Sequence, residues 1–214
     1  MMDKMAFMEL VPSEELYEAY ASFLKGKVVE LGDRFQECEK WYTRDFLRGV
    51  EKGKNGKREL VRGERLAIRE ANLKDANYMS NVECDSDNSP WVANWPLGWR
   101  VAKFGDDDFL QTILVKEDGS PIGFIIFRNM VKKGEAVELK RIAIMEKGKG
   151  YGVEALYLAQ KLAFEVWGTK RLYLGTKLSN LRAQSIYKKT GFIAETPDPC
   201  DHFYMDREDY EALC

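Results

Sequence analysis

The six residues Lys147-Gly148-Lys149-Gly150-Tyr151-Gly152 constrain this chain more than any other stretch. They follow Val137-Glu138-Leu139-Lys140-Arg141-Ile142-Ala143-Ile144, a run that predicts a strand. They precede residues 153–164, whose apolar spacing predicts a helix. Strand, glycine turn and helix in that order bring backbone N–H groups and a helix N-terminus to one point, where an anion can bind. Glycine at alternate positions leaves room for a pyrophosphate to lie against the backbone. The turn therefore predicts a phosphate-bearing cofactor, although alone it is equally compatible with a plain tight connection.

The 214 residues suffice for one sizeable core plus an extension. Lysine and arginine total 33 against 35 aspartates and glutamates, a net charge of −2, which gives no reason to expect nucleic acid or an anionic membrane surface as partner. Cys38, Cys84, Cys200 and Cys214 form no C-x-x-C pair, and His202 is the single histidine, so no Cys/His metal cluster is expected. Reduced thiols and a cytoplasmic location follow as expectations. The first seven residues carry charges and make a poor secretory signal. No stretch approaches the roughly 20 apolar residues of a membrane span.

Along the chain, residues 1–50 read as a helical extension. Leu16, Tyr20, Phe23 and Leu24 recur at helical spacing, as do Leu31, Phe35, Cys38, Tyr42 and Phe46. Pro12-Ser13 is a plausible start and Gly32-Asp33 a plausible break. Residues 51–63, with five basic side chains among three glycines, read as a solvated linker. From residue 64 to 214 strand and helix patterns mix into one α/β domain. Residues 65–70 alternate like a strand, and Asn72 can cap a helix running to about Asn81. Residues 84–108 look irregular. Residues 109–116 and 121–130 read as a hairpin turning at Glu117-Asp118-Gly119-Ser120. Arg171 to Leu174 predicts a strand, Leu181 to Lys189 a helix stopped by Gly191, and residues 192–194 and 202–205 short closing strands.

Two phosphate-binding fingerprints fail on the turn. A P-loop needs Ser or Thr after Gly-Lys, whereas Gly150 follows Gly148-Lys149. A dinucleotide fingerprint needs G-x-G-x-x-G near the first strand, whereas the spacing here is G-x-G-x-G, late in the chain. A second motif decides the matter. In Asn180-Leu181-Arg182-Ala183-Gln184-Ser185-Ile186-Tyr187, positions 180, 183 and 187 share one helix face, offering an amide, a small residue and a phenol. With Gly191-Phe192 after it, this segment resembles the Asn-x-x-Ala-x-x-x-Tyr-x-x-x-Gly-Phe signature of the GNAT superfamily of acyl-coenzyme A N-acyltransferases. The turn is similar to that family's Arg/Gln-x-x-Gly-x-Gly/Ala pattern, with Lys147 replacing its first residue. The middle region resembles the branch containing ribosomal-protein N-terminal acetyltransferases.

That resemblance implies a mixed, largely antiparallel central sheet flanked by helices, with an N-terminal helical extension. It implies acetyl-CoA as co-substrate, no metal, and a primary amine of a small molecule or protein N-terminus as acceptor. The backbone of Ile142, Ala143 and Ile144 would pair with the pantetheine arm. N–H groups of Gly148, Lys149, Gly150, Tyr151, Gly152 and Val153 would hold the pyrophosphate, with charge from Lys147 and Lys149. Asn180 would bond near the pantetheine or simply cap its helix, and Ala183 would permit close approach. Tyr187 matches the general acid that protonates the departing thiolate, and Glu138 a glutamate that some relatives use as general base. Either could instead be structural, Tyr187 as a packed aromatic and Glu138 as a partner of Lys140.

The acceptor side should fall in residues 80–108. Glu83, Asp85, Asp87, Asp106, Asp107 and Asp108 against Arg100 and Lys103 suggest an acidic rim, net −4, beside Trp91, Trp95 and Trp99, which are core or cation-binding aromatics. A different class of function is a domain that binds acyl-CoA without turnover, as a sensor. The front helices could also recruit a partner or build a homodimer.

Overall fold

The computed structural model describes residues 37–54, 58–195 and 202–213, together with residues 21, 22 and 25. The expected helix start at Pro12-Ser13 and break at Gly32-Asp33 lie outside them.

Helix α1 (Glu37–Gly53) leads into strands β1 (Glu59–Arg62) and β2 (Leu66–Glu70). Helices α2 (Asp75–Cys84) and α3 (Leu97–Phe104) precede the hairpin of β3 (Phe109–Lys116) and β4 (Pro121–Arg128). Then come β5 (Ala136–Ile144), α4 (Tyr151–Lys161) with a π turn at Leu162–Val166, β6 (Arg171–Gly175) and α5 (Leu181–Lys189). Strands β7 (Ile193–Ala194) and β8 (His202–Asp206) and the short helix α6 (Arg207–Glu211) follow. The strands form one eight-stranded sheet in the order β1-β2-β3-β4-β5-β6-β8-β7. Every neighbour is antiparallel except β5 and β6. The mixed, largely antiparallel sheet expected from sequence is therefore present.

Both faces of the sheet are covered near its centre. Leu66, Ile68, Ile125, Phe127, Val137 and Leu139 pack with α4 and α5 residues on one face. Ala67, Ile113, Phe124, Ile126 and Ala143 pack with Met79 and Val82 of α2 on the other. Successive strand side chains point to opposite faces, so one strand feeds both layers. Phe46 and Val50 of α1 join Leu97, Val101 and Ala102 of α3 in a third cluster.

Two sequence expectations require correction. The linker at residues 51–63 is in part structure: α1 runs to Gly53, and β1 pairs with β2 through Glu59, Val61 and Arg62. A four-residue edge strand with one buried side chain, Val61, is too short to show alternation and reads as solvated chain. Residues 84–108 are likewise not wholly irregular, because α3 begins after Pro96. Charged Arg100 and Lys103 lie on its buried face and hide its apolar stripe in the sequence.

Candidate active site

The site is built where β5 and β6 part. Their parallel pairing begins at Ala136 and Arg171 and stops at Leu139 and Leu174, yet β5 continues to Ile144. Beyond that apex the edge of β5 has no strand partner on the β6 side among the described residues, and a V-shaped notch opens. A bulge sits at the same place. Ile126 pairs with Arg141 and Phe127 with Leu139, which leaves Lys140 as the extra residue. The extra residue corrects the alternation, so that Leu139 and Ile142 both face the α4–α5 layer.

A cavity of about 810 Å³ occupies the notch. Residues Leu139 to Ile144 form one wall, Gly175 and Thr176 the other, and Asn180, Ala183 and Tyr187 reach in from α5. At the far end lies the glycine turn. Gly148 and Gly150 take φ of 77° and 79°, the left-handed region where an L side chain is strained, and Gly150 caps α4. Val153 N–H donates to Gly150 O, so it is not available for a ligand as expected from sequence. The N–H groups of Gly148 to Gly152 have no hydrogen-bond acceptor among the described residues and stand at the positive end of the α4 dipole. Glu154 fixes this end by accepting from the Arg65 and Leu66 N–H groups at 2.7 and 2.9 Å, while Arg65 Nη1 donates to Lys149 O at 3.0 Å.

The two lysines of the turn do not project freely. Lys147 Nζ donates to Asn88 Oδ1 and Ile144 O, and burial lowers its pKa below the ordinary lysine value. Lys149 pairs with Glu146 at 2.8 Å. Charge from either is thus already engaged within the protein. Asn88, which the sequence did not single out, donates Nδ2 to Val82 O and Ile144 O at 2.9 and 3.2 Å. It ties the end of α2 to the end of β5, and no short motif could have exposed a contact spanning 56 residues.

Asn180 Oδ1 accepts from Ala183 N–H at 3.1 Å as the α5 cap, and the residue also lines the cavity. Both alternatives for Asn180 are therefore compatible with its placement. Tyr187 is 7% exposed, meets Phe192 and Phe203 edge-on, and has its phenol pKa pushed up to about 12 by burial. Glu138 is not on the cavity wall. It lies between Val137 and Leu139, which share a cluster with Tyr187, so its side chain points to the opposite face of the sheet. There it meets Lys140 Nζ at 3.1 Å and Arg128 Nη1 at 3.6 Å. Tyr173 lies across from it in register, its phenol raised first by burial and then by Glu138, with its oxygen accepting from Asn129 Nδ2.

The expected acidic rim is kept only in part: Asp87 is exposed and lines the cavity, whereas four of the six acidic residues are engaged by cations. Glu83 is fully buried, pairing with Arg100 Nη2 at 2.6 Å and with Arg141. Asp106 pairs with Lys103 at 2.7 Å, Asp107 with Arg48 and Lys52, and Asp108 with Arg128 at 3.9 Å. Counting charges along the sequence could not reveal cations brought in from α1, β4 and β5. Trp95 and Trp99 pack edge-on at 5.1 Å, and Arg141 stacks over Trp95 at 4.4 Å. Only Trp91 of the three is exposed, and it lines the cavity.

The loop carrying Trp91 crosses the notch. Arg141 Nη1 donates to Ala93 O at 2.7 Å on the β5 side, and Lys177 Nζ donates to Pro90 O at 2.6 Å on the other. Among the described residues no cluster of His, Cys, Asp and Glu could hold a metal ion, and no helix is long and apolar enough to cross a membrane.

The unpartnered edge of β5 and the row of free N–H groups suit acetyl-CoA as co-substrate, one for its amide-bearing arm and the other for its pyrophosphate. Known proteins agree. An N-alpha-acetyltransferase of Sulfurisphaera tokodaii is 28% identical over 166 residues, 71% of this chain and 93% of that protein. A probable GNAT-family acetyltransferase of Chromobacterium violaceum superposes with a TM-score of 0.61 at 17% identity, over 72% of this chain and 88% of that one. The spermidine N-acetyltransferase of Vibrio cholerae, solved with CoA and spermine, superposes with a TM-score of 0.59 at 16% identity, over 68% and 98%. The model of the acetyltransferase (GNAT) family matches residues 74–192, which takes in the notch, the glycine turn and the Asn180–Tyr187 helix, and this chain belongs to that family.

Proposed function

We propose that the chain transfers an acetyl group from acetyl-CoA to a primary amine of a small molecule or a protein N-terminus, by direct attack of the amine on the thioester. The observation that carries this reading is the convergence of the notch, the free N–H row and Tyr187 on one cavity. Residues Ile142 to Ile144 offer an unpaired strand edge to the pantetheine arm. The N–H groups of Gly148 to Gly152 receive the pyrophosphate. Asn180 turns its Nδ2 amide toward the same arm, and Ala183 leaves space for it.

Tyr187 serves as the acid. A phenol is protonated at neutral pH, and burial raises the Tyr187 pKa further, so it holds a proton for the thiolate as the C–S bond breaks. Glu138 serves as the base from the opposite face, directly or through water. An ammonium must lose a proton before it can attack, and a carboxylate beside the apex of the notch can accept it. In this reading the two proton transfers lie on opposite sides of the sheet, with the amine arriving from the Glu138 side and sulfur leaving on the Tyr187 side.

Thiol release from acetyl-CoA across peptides with free N-termini, polyamines, aminoglycosides and amino acids tests this reading. Peptides come first because of the relative named an N-alpha-acetyltransferase. Tyr187→Phe is expected to lower kcat by roughly 10²-fold while CoA still binds. Equal turnover in that variant would remove Tyr187 from the acid role. CoA binding without thiol release for any amine would favour the sensor reading instead.

A further inference from the structure

Lys140 is a primary amine already held at the place where the acceptor amine must give up a proton. It is the bulge residue at the apex of the notch, and it lines the cavity. Its Nζ donates to Glu138 Oε1 at 3.1 Å. The side chain is 38% exposed, so the ammonium is held by one ion pair rather than locked in packing. Glu138 keeps a second cation, Arg128 at 3.6 Å, so loss of the Lys140 charge does not leave its carboxylate without a partner. We infer that Lys140 is a self-acetylation site, modified within the chain when acetyl-CoA is bound and no acceptor amine is present. The inference rests on the transfer reading above.

The step balances with the same groups. Glu138 takes a proton from the Lys140 ammonium, and the freed Nζ lone pair attacks the thioester carbonyl carbon. The N–C bond forms, the C–S bond breaks, and its electron pair leaves with sulfur, which receives a proton from Tyr187. The nitrogen then sheds its second proton to solvent, from which the Tyr187 phenolate is reprotonated, and Glu138 releases the proton it took. The products are Nε-acetyl-lysine at residue 140 and free CoA. Reaction within one complex gains the advantage of high effective concentration. Acetylation also cancels the Lys140 charge and opens one side of Glu138 to an incoming ammonium. The modification would therefore change how the site receives its acceptor.

The cavity contains its own control. Lys147 lines it too, with a pKa lowered by burial, but it lies seven residues further on, at the phosphate end beside α4. Four extended residues, from Lys140 to Ile144, already span about 13 Å. A reaction governed by basicity alone favours Lys147, and one governed by position favours Lys140.

Incubation of the full chain with acetyl-CoA and no amine, followed by intact mass and peptide mapping, tests the inference. One acetyl group on Lys140 is expected, appearing at least about tenfold faster than on Lys147 or the exposed Lys149. Excess CoA should protect Lys140, and Glu138→Gln and Tyr187→Phe should slow its labelling. Lys140→Arg should abolish the mass gain. Labelling spread evenly over surface lysines, or unchanged in Glu138→Gln, overturns the inference. Thiol release with acceptor amines but an unmodified Lys140 overturns it alone. Absence of both reactions overturns the transfer reading with it.

Discussion

At the scale of single residues, burial sets the chemistry of Tyr187. Its phenol moves from 10.0 to about 12 because the folded chain disfavours the phenolate. The folded state thus holds this proton more tightly than the unfolded state. The stability so gained is complete below about pH 10 and is lost as pH rises through about 12. Tyr78 is raised to about 12 too, mainly by burial, so the wild-type curve alone cannot isolate one phenol. Urea denaturation of wild type and Tyr187→Phe from pH 9 to 12 separates them: the stability difference should shrink as pH rises through that window. Parallel curves would show that Tyr187 titrates with its ordinary pKa. The residue types of the site were legible because Asn180, Ala183 and Tyr187 repeat at helical spacing. The engagement of Lys147 by Asn88 was not, because that bond joins positions 59 residues apart.

At the scale of elements, close approach decides what the sequence left ambiguous. Helix α1 lies so near α3 that a Cβ on Gly49 would stand 1.9 Å from the Val101 carbonyl oxygen. Gly49→Ala must push the helices apart or shift α3 against β3, and overpacking of this kind costs about 1–3 kcal/mol. Gly134 has nothing within 4 Å of such a Cβ. Gly134→Ala is therefore the control, expected to change stability by less than about 0.5 kcal/mol. Chemical denaturation of the two variants measures both; equal midpoints would mean the α1–α3 contact gives way freely. The β3–β4 hairpin is legible in its period and turn residues, and Gly119 takes φ of 80° at its tip. The bulge at Lys140 left no mark in sequence, because an extra residue is defined only against the partner strand.

At the scale of the whole molecule, residues 37–54 and 58–63 are part of the body and not an appendage. Phe46 and Val50 are buried against α3, β1 extends the sheet at β2, and Leu73 N–H donates to Gly53 O at 3.0 Å. Deletion of residues 1–63 would strip that cluster and bare the edge of β2. Such a chain is expected to aggregate or to lose cooperative unfolding, as sedimentation and denaturant titration would register. A truncated chain that stays monomeric with an unchanged midpoint would restore the picture of a separable extension.

The sequence by itself determined the donor side of the proposed site. The glycine turn and the Asn180–Tyr187 helix are local patterns, fixed by backbone conformation and helical period within a few residues. Only the tertiary structure decided the proposed acceptor side. There Glu83, Asp107 and Asp108 are paired with cations from distant elements, Glu138 and Tyr187 fall on opposite faces of one sheet, and Lys140 is carried to the apex of the notch. Charge pairing and strand register are relations between segments far apart in the chain, and they come into being only when the sheet assembles.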